Sequence, residues 1–457
     1  KVRLVTVSEF FCRFHINFRA FLVPGNGNQT FAGSWYQVPN GWIELQKSSA
    51  NPSISDGNGN YTLEGAKYGI YKGDKLIQTL TTDKNGYAKS KELEEGSYTV
   101  KEISAPAGFI VDATAHDVNV KPEETSTVKS SDIPQNNPIS LILQKLDLET
   151  GEGKPQGNSS LANAEFTIKF YTELSDTDPA TSGKKPVRTW VMKTNASGEM
   201  HFTKDYFVSG DEFYYASDKK TVCLPIGTVT IQETKAPKNY FLNETVFVQK
   251  ITGSGSQESV SIYNASNVEE QVYRGGVKVQ KRDLETQDTV SQGNATLAGA
   301  TFSITTLNEQ PVWVNGKLYQ KDEMCLTIIT DENGLASTEE KALPVGHYRI
   351  EETQAPTGYL KDGAKTLEFE ITKDGEMVDL TSKDTSIANQ VIRGGVKVQK
   401  RDIETGETKP QGNATLEGAT FTITNLSTHP VLVNEKLYES GQVVLTLKTD
   451  KSGAAAT

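Results

Sequence analysis

Val345-Gly346-His347-Tyr348-Arg349-Ile350-Glu351-Glu352-Thr353-Gln354-Ala355-Pro356-Thr357-Gly358-Tyr359 is a strand that carries a glutamate into a proline–glycine turn. Two upstream segments repeat it: Gly96-Ser97-Tyr98-Thr99-Val100-Lys101-Glu102-Ile103-Ser104-Ala105-Pro106-Ala107-Gly108-Phe109 and Gly227-Thr228-Val229-Thr230-Ile231-Gln232-Glu233-Thr234-Lys235-Ala236-Pro237-Lys238-Asn239-Tyr240. In each, apolar residues alternate with small or polar ones until the glutamate, and Ala-Pro and an aromatic follow. Strict alternation marks a strand with one buried face. On that period Tyr98, Val100 and Glu102 share a face, as do Val229, Ile231 and Glu233, and Tyr348, Ile350 and Glu352. Three carboxyl groups are thus sent toward the apolar side. An unpaired buried charge is costly, so each needs a partner.

The leading strand of each repeat offers one. Ile43-Glu44-Leu45-Gln46-Lys47, Leu141-Ile142-Leu143-Gln144-Lys145, Val277-Lys278-Val279-Gln280-Lys281 and Val396-Lys397-Val398-Gln399-Lys400 all end in a lysine in phase with apolar residues. A second strand follows each, at Leu63-Glu64-Gly65-Ala66-Lys67-Tyr68, Leu161-Ala162-Asn163-Ala164-Glu165-Phe166, Leu297-Ala298-Gly299-Ala300-Thr301-Phe302 and Leu416-Glu417-Gly418-Ala419-Thr420-Phe421. Hairpin cues come next, ending at Gly86, Gly198, Gly334 and Gly453, where Asn-Gly and Ser-Gly supply the positive φ of tight turns. Such self-similarity, with short strands, regular turns and no convincing helical period, predicts an all-β chain of tandem β-sandwiches in an elongated array.

The expected division is a remnant of an upstream β-domain at 1–40, repeats at 41–138, 139–272 and 273–392, and a truncated fourth at 393–457. The joints are short, which predicts neighbours held semi-rigidly. The chain has 457 residues, a net charge of −11 and 23% charged residues, which argues against nucleic acid as a partner. No run reaches the length of a membrane helix. Cys12, Cys223 and Cys325 are few, far apart and odd in number, so core thiols are expected rather than a disulfide framework or a metal site. Cys12 and His15 fall in one strand-like run.

A lysine and a glutamate buried in one small domain might be no more than an ion pair. The end of each complete repeat argues for more, because it carries an amide or carboxyl: Ser386-Ile387-Ala388-Asn389, the similar Ser261-Ile262-Tyr263-Asn264, and Lys129-Ser130-Ser131-Asp132. The order Val-x-Val-x-Lys-x-Asp, Leu-x-Gly-Ala-x-Phe, Thr-Asp-x-x-Gly, Glu-Thr-x-Ala-Pro-x-Gly-Tyr resembles the Cna-B or SpaA-type, prealbumin-like domain of Gram-positive surface adhesins and pilins, over roughly residues 41 to 457. The resemblance implies a covalent bond from the first-strand lysine to a last-strand Asn or Asp, with the boxed glutamate as catalyst. Carried over, it pairs Lys47 with Asp132 under Glu102, Lys145 with Asn264 under Glu233, and Lys281 with Asn389 under Glu352. Asn136 and Asn137 are alternative acceptors in the first repeat and Asn267 in the second. Lys400 has neither glutamate nor acceptor in this chain. The first box lacks the threonine, and the second has Lys238-Asn239 where glycine is usual.

The chemistry is self-contained. Burial lowers a lysine's pKa and raises a glutamate's, leaving a neutral amine able to attack a carboxamide. The glutamate moves the protons, and no metal or cofactor is required. One reaction per domain is self-maturation, not enzymatic turnover. Two ammonias and one water would be lost. The resemblance further implies a stalk of a cell-surface adhesin, extracellular and anchored to a Gram-positive wall. Its partners would be neighbouring domains and, through a distal domain, a host matrix protein or glycan. A host-binding module, with the polar stretch 175–185 of the second repeat as its surface, and a pilus shaft subunit are the rival readings.

Other motifs point elsewhere. Asp83 and Asp331 sit in Asp-x-Asn-Gly without the spacing of a calcium loop, so hairpin turns are expected. Leu224-Pro225-Ile226-Gly227-Thr228 has the last two residues of a sortase signal reversed. Cys12 and Gln29 are too close together for an upstream thioester domain, and the sequons at Asn294 and Asn413 read as polar turns.

Overall fold

The computed structural model describes residues 16–21 and 32–37 as backbone, and 39–253, 257–261, 263–361 and 363–457 in full. Ile16–Phe21 and Ala32–Gln37 form an antiparallel hairpin. Cys12, His15, Gln29 and the loop expected near residues 24–29 lie outside the described residues.

Each complete repeat is a sandwich of two sheets. In the first, Lys75–Thr81, Lys67–Lys72, Gly96–Ser104 and Ala115–Val120 form one layer, and Tyr87–Lys89, Trp42–Ser49 and Thr125–Asp132 the other. The third repeat has the same layers: Met324–Ile329, Thr301–Thr306, Gly346–Gln354 and Leu367–Ile371 face a sheet built around Arg274–Asp283. The second adds Phe207–Gly210 to the box-strand sheet. The glutamate-bearing strand lies inside its sheet each time, paired on both sides.

Alternation survives as burial. Tyr98, Val100 and Glu102 are all buried, as are Val229, Ile231 and Glu233, and Tyr348, Ile350 and Glu352. Each apolar side chain so placed contributes about 1.5–3 kcal/mol on leaving water. Ile43, Leu45 and Lys47 face inward from the leading strand, as do Val277, Val279 and Lys281. Cys223 and Cys325 are free and buried, and Trp190 anchors the second core against Phe202 and Tyr214.

The hairpin glycines hold the leading lysines from behind. Lys47, Lys145, Lys281 and Lys400 each donate their backbone N–H to the carbonyl of Gly86, Gly198, Gly334 and Gly453, at 2.7–2.8 Å. Gly198 has φ +75, and a Cβ there would lie 2.4 Å from the Lys145 carbonyl oxygen, so the turn needs glycine on both counts. The turn aspartates are spent on the backbone: Asp83 accepts from the N–H of Asn85 and Tyr87, and Asp331 from those of Asn333 and Leu335.

One strand pairing crosses between the expected first and second repeats. Asn136–Pro138, expected at the end of the first repeat, pairs with Val222–Pro225 of the second. The joints are more specific than short linkers suggest. Arg274 grips Glu149 of the second repeat through Nη1 at 2.9 and 2.8 Å, and the carbonyls of Trp313 and Ala342 of the third through Nη2. Gln156 Oε1 accepts from the Trp313 N–H at 2.7 Å. The next joint repeats this: Arg393 holds Glu285 and the Leu432 carbonyl, and Gln292 Oε1 accepts from the Leu432 N–H at 2.8 Å. Behind it, buried Asp283 accepts from Gln292 and Tyr359, as Asp147 does from Gln156 and Tyr240. The tyrosine closing the second and third boxes therefore braces the joint.

Candidate functional site

The leading strand runs parallel to the last strand of its own repeat. Trp42–Ser49 lies beside Thr125–Asp132, with Ser49 opposite Asp132. Leu141–Asp147 lies beside Ser266–Glu270, with Asp147 opposite Glu270, and Arg274–Asp283 beside Ile387–Asn389, with Asp283 opposite Asn389. The residue two places beyond the lysine thus faces the acceptor position in all three repeats. Because side chains alternate along a strand, this register sets the lysine and the acceptor diagonally on one face. The box glutamate meets them from the other sheet.

In the third repeat the structure brings the three groups together. Lys281 Nζ donates to Asn389 Oδ1 and lies 3.1 Å from Glu352 Oε1. Asn389 Nδ2 donates to Glu352 Oε2 at 2.8 Å. The side chains of Lys281 and Glu352 are wholly buried, and Asn389 is 1% exposed. The glutamate touches the amine and the amide nitrogen rather than the amide carbonyl.

In the first repeat Lys47 Nζ is 2.8 Å from Glu102 Oε1, 2.5 Å from Asp132 Oδ2 and 2.7 Å from the Tyr68 hydroxyl. Glu102 is fixed by the Asp112 N–H, which donates to its other oxygen at 2.6 Å. Asp132 is the residue at the lysine. Asn136 and Asn137 lie across the boundary in the second repeat's sheet.

The second repeat requires a correction. Asn264 is exposed in the coil before the last strand, and Asn267 is exposed within it. Lys145 Nζ meets Glu233 Oε1 at 2.6 Å and Glu270 Oε1 in close contact, and Glu270 is 3% exposed. Glu233 is oriented as Glu102 is, by the Asn243 N–H at 2.9 Å. Ser-Ile-Tyr-Asn matches Ser-Ile-Ala-Asn in sequence but not in strand register. Counting back from the shared Gln-Val-x-Arg-Gly-Gly, at 271–276 and 390–395, puts Glu270 in the place of Asn389. Lys400 is exposed.

Electrostatics follow burial. Desolvation lowers Lys145 to about 8 against the pull of Glu233, and lowers Lys281 against Glu352. It raises Glu233, opposed by Lys145. In the first repeat burial raises Asp132 to about 7, with Lys47 opposing. Burial also works to lower Lys47, but bonds to Asp132, Glu102 and Tyr68 together outweigh it and hold this amine above its ordinary value. The proton must leave Lys47 before that nitrogen can act as a nucleophile, and Glu102 is in contact to take it. No cluster of three or more His, Cys, Asp or Glu suited to a metal ion occurs among the described residues.

Tandem all-β sandwiches, each joining its first and last strands through a buried lysine, glutamate and carboxyl or amide, define a class of repeat. The profile of the SpaA prealbumin-like fold domain matches residues 53–134, 153–266 and 277–386, more than half of the chain, and the chain belongs to that family. The trypsin-resistant surface T6 protein of Streptococcus pyogenes serotype M6 is 40% identical over 70 residues, 15% of this chain and 13% of that protein. Among solved structures, the TIE protein of Bacillus anthracis aligns over 82% of this chain and 58% of its own, at 22% identity and a TM-score of 0.45. BcpA, the major pilin subunit of Bacillus cereus, aligns over 77% of this chain and all of its own, at 17% identity and a TM-score of 0.27. This chain thus spans less than two thirds of both the T6 and the TIE proteins.

Proposed function

We propose that this chain is a load-bearing stalk segment of a Gram-positive cell-surface protein, extracellular and wall-anchored, whose complete repeats are closed by autocatalytic amide bonds. The observation that carries this reading is the buried set of Lys281, Glu352 and Asn389 across a parallel strand pair. Neutral Lys281 attacks Asn389 Cγ, forming a C–N bond. Glu352 takes the proton from the attacking nitrogen and delivers it to Nδ2, which leaves as ammonia. Amine and amide thus become a substituted amide and ammonia, with no external oxidant, reductant or cofactor. Proximity alone supplies about 7–11 kcal/mol of such a barrier.

Parallel pairing gives the bond its mechanical meaning. The chain enters a repeat by the leading strand and leaves by the last one, so pulling its ends shears those two strands. A bond from Lys281 to Asn389 carries the load directly, and everything between them drops out of the load path. The T6 protein is named as a trypsin-resistant surface protein, and the same resistance fits closed repeats here. Single-molecule pulling tests the role. The wild-type third repeat should not extend below covalent rupture, whereas a Glu352→Ala repeat should unravel. Extension of both alike would refute the load-bearing reading.

A further inference from the structure

The second repeat departs from the Lys–Asn and Lys–Asp pattern, and we infer that it closes through a Lys145–Glu270 amide, a lysine–glutamate cross-link formed with loss of water. The inference rests on the cross-linking reading of the third repeat and extends it to a different acceptor. Glu270 holds the register position that Asn389 and Asp132 hold in the other repeats, opposite the second residue beyond the lysine. Its Oε1 is in close contact with Lys145 Nζ, and Glu233 lies on the other side of that nitrogen.

An ordinary ion pair accounts poorly for this site. Two carboxyl groups converge on one amine, and all three side chains are at most 1% exposed. With both carboxyls ionised the group would bear a net negative charge in a dry interior. Glu270 Oε2 has no hydrogen-bond partner, and an ionised carboxylate with one oxygen so abandoned is costly. Condensation removes that cost, since the remaining carbonyl oxygen is neutral.

The step balances. Neutral Lys145 Nζ attacks the Cδ of protonated Glu270, and a C–N bond forms. Glu233 accepts a proton from the nitrogen and returns it to the departing hydroxyl, which leaves as water when the C–O bond breaks. The lowered amine of Lys145 and the raised carboxyl of Glu233 suit these roles. The extra methylene of glutamate, relative to aspartate, lengthens the bridge without altering the groups that react.

The test is intact mass and tryptic peptide mapping of the full chain, as wild type, Glu270→Gln and Glu233→Gln. The wild type should yield a branched peptide joining Lys145 to Glu270, lighter than its parts by one water. Glu270→Gln should lose ammonia instead and give the identical branched peptide, so that both proteins reach one final mass. Glu233→Gln should leave Lys145 free to trypsin while the Lys281–Asn389 branch persists. Unbranched Lys145 beside an intact Lys281–Asn389 branch in the wild type would overturn this inference alone. If Glu270→Gln forms the branch and the wild type does not, the inference is likewise overturned. Absence of both branches would remove the reading on which it rests.

Discussion

Glu352 accepts a hydrogen bond from Asn389 Nδ2 at 2.8 Å, the atom that must depart if Lys281 is to take its place. In the proposed reaction the glutamate carries the proton between incoming and outgoing nitrogens. Glu352→Ala should leave Lys281 and Asn389 unlinked, and the protein heavier by one ammonia after allowing for the substitution. Lys281 and Asn389 lie 108 residues apart, and a cross-link closing a loop of about that length is worth roughly 4–5 kcal/mol on the loop-entropy view. Calorimetry should show the third repeat melting lower by on the order of 20 °C. An unchanged melting profile would show that the bond contributes no stability.

The first repeat should mature more slowly than the third. Lys47 is held protonated by Asp132, Glu102 and Tyr68, whereas burial without a tyrosine partner lowers Lys281. Tyr68→Phe removes one acceptor at 2.7 Å, at a cost of about 1 kcal/mol, and should speed formation of the Lys47–Asp132 bond. Mass spectra sampled during cell-free synthesis read both rates. A slower Tyr68→Phe reaction would mean that the hydroxyl assists the chemistry.

Acid should loosen the joint between the third and fourth repeats before it unfolds the sandwiches. Arg393 beside Glu285 holds that carboxyl down at about 2, against a usual 4.5. A depressed carboxylate stabilises fully above its unfolded value, and that contribution is lost as pH falls through the folded one. Solution scattering should therefore show a joint as stiff near its usual carboxylate pKa as at neutrality, gaining bend as pH approaches about 2. Arg393→Ala should bend at neutral pH. Identical scattering of the variant and the wild type would deny the clamp its role.

Gly198→Ala should destabilise the second repeat by more than the roughly 1 kcal/mol usual for an ill-placed alanine, because it combines φ +75 with a Cβ 2.4 Å from the Lys145 carbonyl oxygen. It should also displace Lys145 and slow closure of that repeat. Denaturant unfolding and the mass time course check the two effects. A neutral outcome in both would show that the turn tolerates a side chain.

The sandwich, the inward glutamates and the inward lysines were legible because a two-residue period writes burial directly into the sequence. Lys281 and Glu352 follow from that period, whereas Asn389 is marked by its place at the end of the repeat and by the family resemblance. Glu270 is hidden because the local match of Ser-Ile-Tyr-Asn to Ser-Ile-Ala-Asn points to Asn264, although the strand begins only at Ser266. Register along a parallel pair is a long-range property, and in sequence it survives only as a fixed distance from Arg-Gly-Gly. The joints were legible as short, but Arg274 meeting Glu149 and Trp313 joins residues scattered over two repeats. No local pattern encodes that meeting.

The most direct measurement is the mass of the intact, folded chain after denaturation, with tandem spectra of its tryptic peptides. The account predicts a deficit of one ammonia and two waters, with Lys281 and Asn389 in one branched peptide. A chain at full sequence mass, with Lys47, Lys145 and Lys281 all cleaved by trypsin as free lysines, would contradict it.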